Sequence, residues 1–254
     1  MNYSDYLILF GSLVLVTVVL LGLNRFFPHT TRLPQNDVAG FIFAVVGVIY
    51  AVLLAFVVIA VWENTDAAKA TTFREADALA GVYWMSRQMP LPMGAHLEDD
   101  TLKYAHAVMD DEWGLMRHHQ SDPHATQLMY DMRDTTMGFQ PSNAREQVLY
   151  DHAVTGVEQL ASERRSRLNE IEDLVPPLLW IALILGAVLT VGFSFLFGLS
   201  NTWAHLAMVL TLTVLVSISL IAVKEMDYPF SGVNEVKPTS FEVFLSRLPP
   251  ERTA

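Results

Sequence analysis

Four long apolar runs constrain this chain more than any other feature. Leu7–Leu23, Phe41–Trp62, Leu178–Phe197 and Trp203–Val223 each extend for about 17 to 22 residues with no Asp, Glu, Lys or Arg, enough for a helix to cross a hydrocarbon core of roughly 30 Å. A helix in a water-soluble core needs one apolar stripe, whereas these runs are apolar on every side. They predict a polytopic membrane protein. The first run reads as a retained span, because Asp5 and no Lys or Arg precedes it and Asn24-Arg25-Phe26-Phe27-Pro28 offers no small-residue cleavage site.

A polar stretch separates the second run from the third. The expected organisation is a transmembrane pair over 1–62, a helical domain over 63–175, a second pair over 176–223 and an irregular tail over 224–254. The net charge of −11 is concentrated in the polar domain and makes nucleic acid a poor partner; the bilayer is the expected one. Four spans put both termini and the domain on one side. Near the span ends that side carries Lys69, Arg74, Arg164, Arg165, Arg167, Lys224 and Lys237, and the other only Arg25 and Arg32. The excess of Lys and Arg predicts a cytoplasmic domain and cytoplasmic termini.

Within the domain every periodic segment reads as helix. No Gly or Pro interrupts the pattern between Trp62 and Gly81, so the second span is expected to run on out of the membrane, with Ala68, Glu75, Leu79 and Val82 on one face. Met89-Pro90-Leu91-Pro92 ends it. A second helix carries Leu97, Tyr104, Val108 and Leu115. Asp122-Pro123 opens a third, and Asn143 with Glu146 forms a capping box for a fourth. That last helix repeats Leu149, Ala153, Val157, Leu160, Arg164, Leu168, Ile171 and Val175 in steps of three or four. Pro176-Pro177 then turns the chain into the third span. The fold class is all-α.

Arg164 interrupts the apolar stripe of the fourth helix. A buried guanidinium needs a carboxylate, and Glu75, on the apolar face of the second-span extension, is the expected partner. The alternative is that Arg164 reaches solvent from the edge of the stripe.

The second span has a face of its own. Gly40, Ala44, Gly47, Ala51, Ala55, Val58 and Trp62 fall within one narrow stripe. Small residues on one face are the usual device for close helix packing in membranes. Repeated around a symmetry axis, the same stripe lines a narrow pore that gates by dewetting. Both readings stand on the residues alone. Glu63 and Asp66 follow at the cytoplasmic end, where a ring of carboxylates would concentrate cations at a pore mouth.

Three stretches carry a family resemblance: Gly47-Val48-Ile49-Tyr50-Ala51-Val52-Leu53-Leu54-Ala55-Phe56 on to Trp62-Glu63, Arg164-Arg165 to Pro177 and Trp180, and Asp227-Tyr228-Pro229-Phe230-Ser231-Gly232. The chain resembles bacterial bestrophin-like membrane proteins over nearly its whole length. The resemblance implies what bestrophins are: pentameric ion channels with four spans per subunit, a pore lined by the second span, and cytoplasmic helices that continue the path. Small inorganic ions are then the conducted species and a second copy of the chain the partner. The bestrophin calcium clasp has no residue-by-residue match here, so no calcium site is implied.

The remaining chemistry points away from an enzyme. Zero cysteines exclude thiol catalysis and thiolate metal sites. His118-His119-Gln120-Ser121-Asp122-Pro123-His124 lacks a zinc spacing, and Glu98-Asp99-Asp100 and Asp110-Asp111-Glu112 lack the glycine and alternation of a calcium loop; these read as solvated polar segments. His106, Asp110 and Glu112 share a helix but have no nucleophile, and no nucleotide loop is present, so no cofactor is expected. With no ionisable group deep in the first three spans and His205 only at the start of the fourth, a proton-coupled transporter is disfavoured. Two classes remain: an oligomeric ion channel, and a non-conducting scaffold whose helical domain binds a protein partner. The tail bears on the choice, because Phe230, Phe241, Val243, Phe244 and Leu248 provide apolar anchors between Pro229, Pro238, Pro249 and Pro250, for a neighbouring subunit or for another protein.

Overall fold

The computed structural model describes residues 3–27, 29–172 and 174–249, and all the regular structure in them is helical. In order these are α1 (Tyr3–Phe26), α2 (His29–Arg32), α3 (Asn36–Ser86), α4 (Met93–His106), α5 (Trp113–Met116), α6 (Pro123–Met137), α7 (Ala144–Asn169), α8 (Pro177–Ser194), α9 (Thr202–Met226) and α10 (Thr239–Ser246). A π-helical turn, Ala107–Glu112, joins α4 to α5. Among these, α1, the helix run containing α3, α8 and α9 are long and apolar enough to cross a membrane. The described residues form two compact units: one from the chain up to Glu63 with 174–228 and 232–234, the other from 64–172, 229–231 and 235–249.

The first unit contains α1, α2, the membrane part of α3, α8 and α9. α1 packs along α9 through Val16, Leu20 and Val209, and Ser12 and Ser217 meet at 3.2 Å across the same seam. Asp5, fully buried, accepts from Lys224 at 2.6 Å at one end of that pair. At the other end the loop around α2 is pinned: Arg32 donates to the Phe195 carbonyl at 2.7 Å and to Asn24, while the Asn36 amide pairs both ways with the Gly198 backbone at 2.9 and 3.0 Å. Those bonds draw residues 195–198 out of helical form. The third span, expected to reach Phe197, therefore ends at Ser194. Gly198 has no alternative, since a side chain there would meet the His29 and Leu33 backbone at 2.6 Å.

The two ends of the Asp227-to-Gly232 motif have structural roles in this unit. The Asp227 carboxylate accepts from Val175 N at 2.7 Å and Trp180 Nε1 at 3.0 Å, capping the approach to α8, and the Asp227 carbonyl accepts from Leu174 N at 3.3 Å. Gly232 sits at φ +88°, a conformation L side chains avoid, beside the Glu225 carboxylate that accepts from Val233 N at 3.1 Å. Hydrogen bonds to a charged group contribute about 1.5–3 kcal/mol. Asp227→Ala is expected to lower stability by an amount toward the lower end of that range, because the carboxylate is only half-buried. Thermal unfolding in detergent, followed by circular dichroism, measures it.

In the second unit, α6 packs between α4 and α7. The expected punctuation is present. Asp122 accepts from His124 N and Ala125 N at 3.0 Å to start α6, and Asn143 accepts from Glu146 N at 2.9 Å to start α7. Glu146 closes the box one residue earlier than the motif implies, on Ser142 N at 2.8 Å. Ala68, Glu75, Leu79 and Val82 are all buried, as are Leu97, Tyr104 and Val108. α7 ends at Asn169, so Ile171 and Val175, which continue its spacing in the sequence, lie beyond the helix.

The tail differs from expectation. Instead of remaining irregular it forms α10 and folds back on its own unit. Phe230 and Phe241 are fully buried against the Trp113 ring, at 5.7 and 6.3 Å between centroids, and Phe244 meets Tyr83 at 5.7 Å. Trp113 also donates to the Val236 carbonyl at 2.9 Å. Three of the five expected anchors are thus satisfied within the chain; Pro250 lies outside the described residues.

Candidate functional site

α3 is a helix of 51 residues, of which the part up to Glu63 belongs to the first unit. Tyr50, Val57 and Val61 are buried against α8 and α9 residues such as Ala187, Val216, Leu183 and Val223. The stripe of small residues lies about 100° round the helix from that face. Ala44, Ala51, Ala55 and Trp62 are exposed, and Gly40, Gly47 and Val58 half-buried. A side chain at Gly47 would meet nothing within 4 Å. Ala44, Gly47, Ala51 and Ala55 therefore face away from that seam, whereas Val58 packs at its edge and Gly40 lies near Phe197. Glu63 is exposed and by helical phase points about 120° from the stripe's mean direction; Asp66, in the other unit, is exposed too. Asp66 accepts from Lys69 at 3.2 Å.

The second constellation is a buried charge cluster in the other unit. The expected Glu75–Arg164 pair is not formed, although both side chains are buried. Arg164 instead grips Glu112, with Nη1 and Nη2 at 2.7 and 2.6 Å from its two carboxylate oxygens. Glu75 is held by Arg167, through Nε at 2.5 Å and Nη2 at 3.0 Å. Arg167 also donates to Glu112 at 2.6 Å, so one carboxylate bridges both guanidinium groups. The Tyr104 hydroxyl donates to Glu75 at 2.5 Å and accepts from Arg164 at 3.2 Å, which links the two charges expected to touch. Two carboxylates balance two guanidinium groups, and Arg167 stacks on Trp113 at 5.2 Å.

The π-helical turn makes this arrangement possible. In an unbroken α-helix Tyr104 and Trp113, nine residues apart, would point in opposite directions. The wide turn between them absorbs the difference, and Tyr104, Glu112 and Trp113 all turn inward. Glu112 thereby leaves the solvated acidic run expected from its neighbours, while His106 and Asp110 stay outside, 3.4 Å apart. His119 turns to the Ile171 carbonyl at 2.7 Å and Asp122 to its capping role. The sequence signal for Arg167 was present, since it lies one turn from Arg164 on the same face of α7. Nothing local marked Glu112.

Burial would raise the Glu112 carboxyl, but Arg167 and Arg164 outweigh it and hold the group below its ordinary 4.5. Burial, then the Glu75 charge, pushes the Tyr104 phenol well above its usual range, so it stays a donor. Burial opposes the charge on both arginines, yet the neighbouring Tyr104 and Glu112 raise Arg164, and Glu75 and Glu112 raise Arg167. A carboxyl lowered on folding adds stability that is complete above its unfolded value and lost as pH falls through the folded one. The contribution of Glu112 to stability is expected to be complete from neutral pH down to about 4.5 and to be lost progressively below it, and Glu112→Gln removes that contribution from the profile. Chemical denaturation at a series of pH values tests this.

A family model described as a bestrophin-like domain matches residues 10–241. No curated protein matches the chain at a significant level. Among solved structures, a bacterial bestrophin homologue from Klebsiella pneumoniae carrying a single substitution aligns with a TM-score of 0.69 at 11% identity, covering 94% of this chain and 97% of that one. Another structure of a Klebsiella pneumoniae bestrophin homologue aligns with a TM-score of 0.65 at 13% identity, covering 96% and 99%. At such identities the structures speak for the fold, and the family match, which spans most of the sequence, speaks for descent. The chain belongs to the bestrophin-like family of membrane proteins.

Proposed function

We propose that the chain is one subunit of a homo-oligomeric channel for small inorganic ions, a pentamer with α3 nearest the symmetry axis. One observation carries the reading: most of the stripe on α3 is left uncovered by the chain's own helices, with Ala44, Ala51, Ala55 and Trp62 exposed. An apolar face of small side chains, repeated around an axis, makes a narrow passage that excludes water until it opens. Gly40, Ala44, Gly47, Ala51, Ala55, Val58 and Trp62 line it in this reading. The termini and the 63–175 domain face the cytoplasm of a bacterial inner membrane, following the bias of Lys and Arg.

Ion flux from purified protein in liposomes tests the proposal. Salt-dependent flux that scales with protein supports it, and a detergent-solubilised particle with the mass of a single subunit overturns the oligomer. Absence of flux from intact oligomers favours the scaffold. Glu63 and Asp66 supply negative charge at the cytoplasmic mouth. Glu63→Gln is accordingly expected to lower cation preference, read as a shift of reversal potential in a salt gradient, and the shift is expected to be small because Glu63 points away from the stripe.

A further inference from the structure

The groove between α6 and α7 is separate from the proposed pore helix and uses residues to which nothing above assigns a ligand. It encloses about 480 Å³, within the size range of small-molecule sites. Met129, Val157 and Leu168 give it an apolar wall, while Arg133, Arg164 and Arg165 line it against a single carboxylate, Glu158. That is a local positive excess on a chain with a net charge of −11.

Arg164 is the buried member, 4% exposed. Its Nη groups are committed to Glu112, Tyr104 and Thr126. Among the described residues its Nε–H has no hydrogen-bond acceptor. Arg133 and Arg165 are exposed, and among the described residues neither has an ion-pair or hydrogen-bond partner. An unmatched donor on a buried guanidinium, two unpaired cations and an apolar wall together suit an anion with an apolar body. Guanidinium groups recognise carboxylates with strong, directed hydrogen bonds.

The geometry points to a binding site for a small organic carboxylate. Its oxygens meet the Arg164 Nε–H and the flanking arginines, and its body lies on Met129, Val157 and Leu168. Because Arg164 also holds Glu112, an occupant contacts the buried cluster directly and stabilises the folded domain by mass action. The site stands whether or not the protein conducts.

Titration calorimetry on the full chain in lipid nanodiscs tests it, with benzoate as the probe. Benzyl alcohol supplies the same ring without charge, and inorganic phosphate supplies an anion without an apolar body. Saturable benzoate binding is expected, at least about tenfold weaker when Arg133→Gln and Arg165→Gln are combined. Glu158→Gln is expected to tighten it. Both arginines are exposed, so the double variant should unfold at the parent temperature without ligand; the Glu158→Gln arm gives an independent reading if it does not. Benzoate binding no tighter than benzyl alcohol, no weaker in the double variant, or matched by phosphate overturns the assignment.

Discussion

Glu112→Leu is expected to destabilise the protein by about 3–5 kcal/mol, because it leaves Arg164 without its carboxylate and Arg167 with only one of its two. For a chain of this size each kcal/mol moves the unfolding midpoint by about 2–4 °C, so a fall of roughly 6–20 °C should be seen in detergent. The effect is large for a definite reason. Glu112 and Arg167 are fully buried and Arg164 nearly so, and a charge stranded there cannot recover its hydration. A double-mutant cycle separates this account from generic core damage. Glu112 with Arg164, and Glu75 with Arg167, should show couplings of 1 kcal/mol or more, at about the level seen for residues in one network. Glu75 with Arg164 should couple more weakly, since the two meet only through the Tyr104 hydroxyl. Equal coupling of all three pairs would mean that the cluster behaves as one undivided charge pool.

Val58→Ser is expected to raise conductance or open probability in planar bilayers. In the proposed pore Ala55 and Val58 form the constriction, and a passage bounded by such side chains blocks ions mainly by staying dry. One hydroxyl per subunit gives water a foothold there. Val58 is half-buried on α3 and packs at the edge of the seam that buries Val57 and Val61, so the substitution is expected to cost some stability there too, less than a change at Val57. Val57→Ser is the matched control: buried in that seam, it should lower stability without opening a path. Recordings in which the parent and Val58→Ser are both silent, from oligomers shown to be intact, would direct the reading to the scaffold. Activation by Val57→Ser in place of Val58→Ser would show that the pore face has been assigned to the wrong side of α3.

Much of the fold was legible in the sequence because its governing forces are local or are set by the solvent. The length of an apolar run against the thickness of a bilayer identifies a span without reference to any other part of the chain. Asp122, Pro123, Asn143 and Glu146 mark helix starts through bonds that close within a few residues. The buried face of α3 beyond the membrane followed from spacing alone, whereas spacing left Arg164 either buried or at the solvent edge of its stripe, and packing decided for burial. Where spacing continued past the end of a helix, as at Ile171 and Val175, the pattern misled, because periodicity does not record where the backbone leaves the helix.

The candidate sites divide in the same way. The stripe on α3 is a property of one helix and is visible in the sequence. That most of it stays clear of α8 and α9, with Val58 at the edge of their seam, is a property of packing and is not. The charge cluster required contacts across 52 and 92 residues of chain, between helices whose facing sides the sequence does not state. Glu112 stood in an acidic run and looked solvated until a π-helical turn rotated it inward. The apolar residues of the tail were evident, but not that Trp113 would receive Phe230 and Phe241.

The sequence by itself determined that this chain spans a membrane, that it is helical, and which faces of its helices are apolar, because hydropathy and helical phase are additive along the chain. Only the tertiary structure decided which carboxylate each buried arginine holds, where the third span stops and what the tail covers. Those outcomes depend on which of several chemically equivalent partners arrives within about 3 Å, and a hydrogen bond or ion pair at that range is set by geometry between helices, not by composition within one.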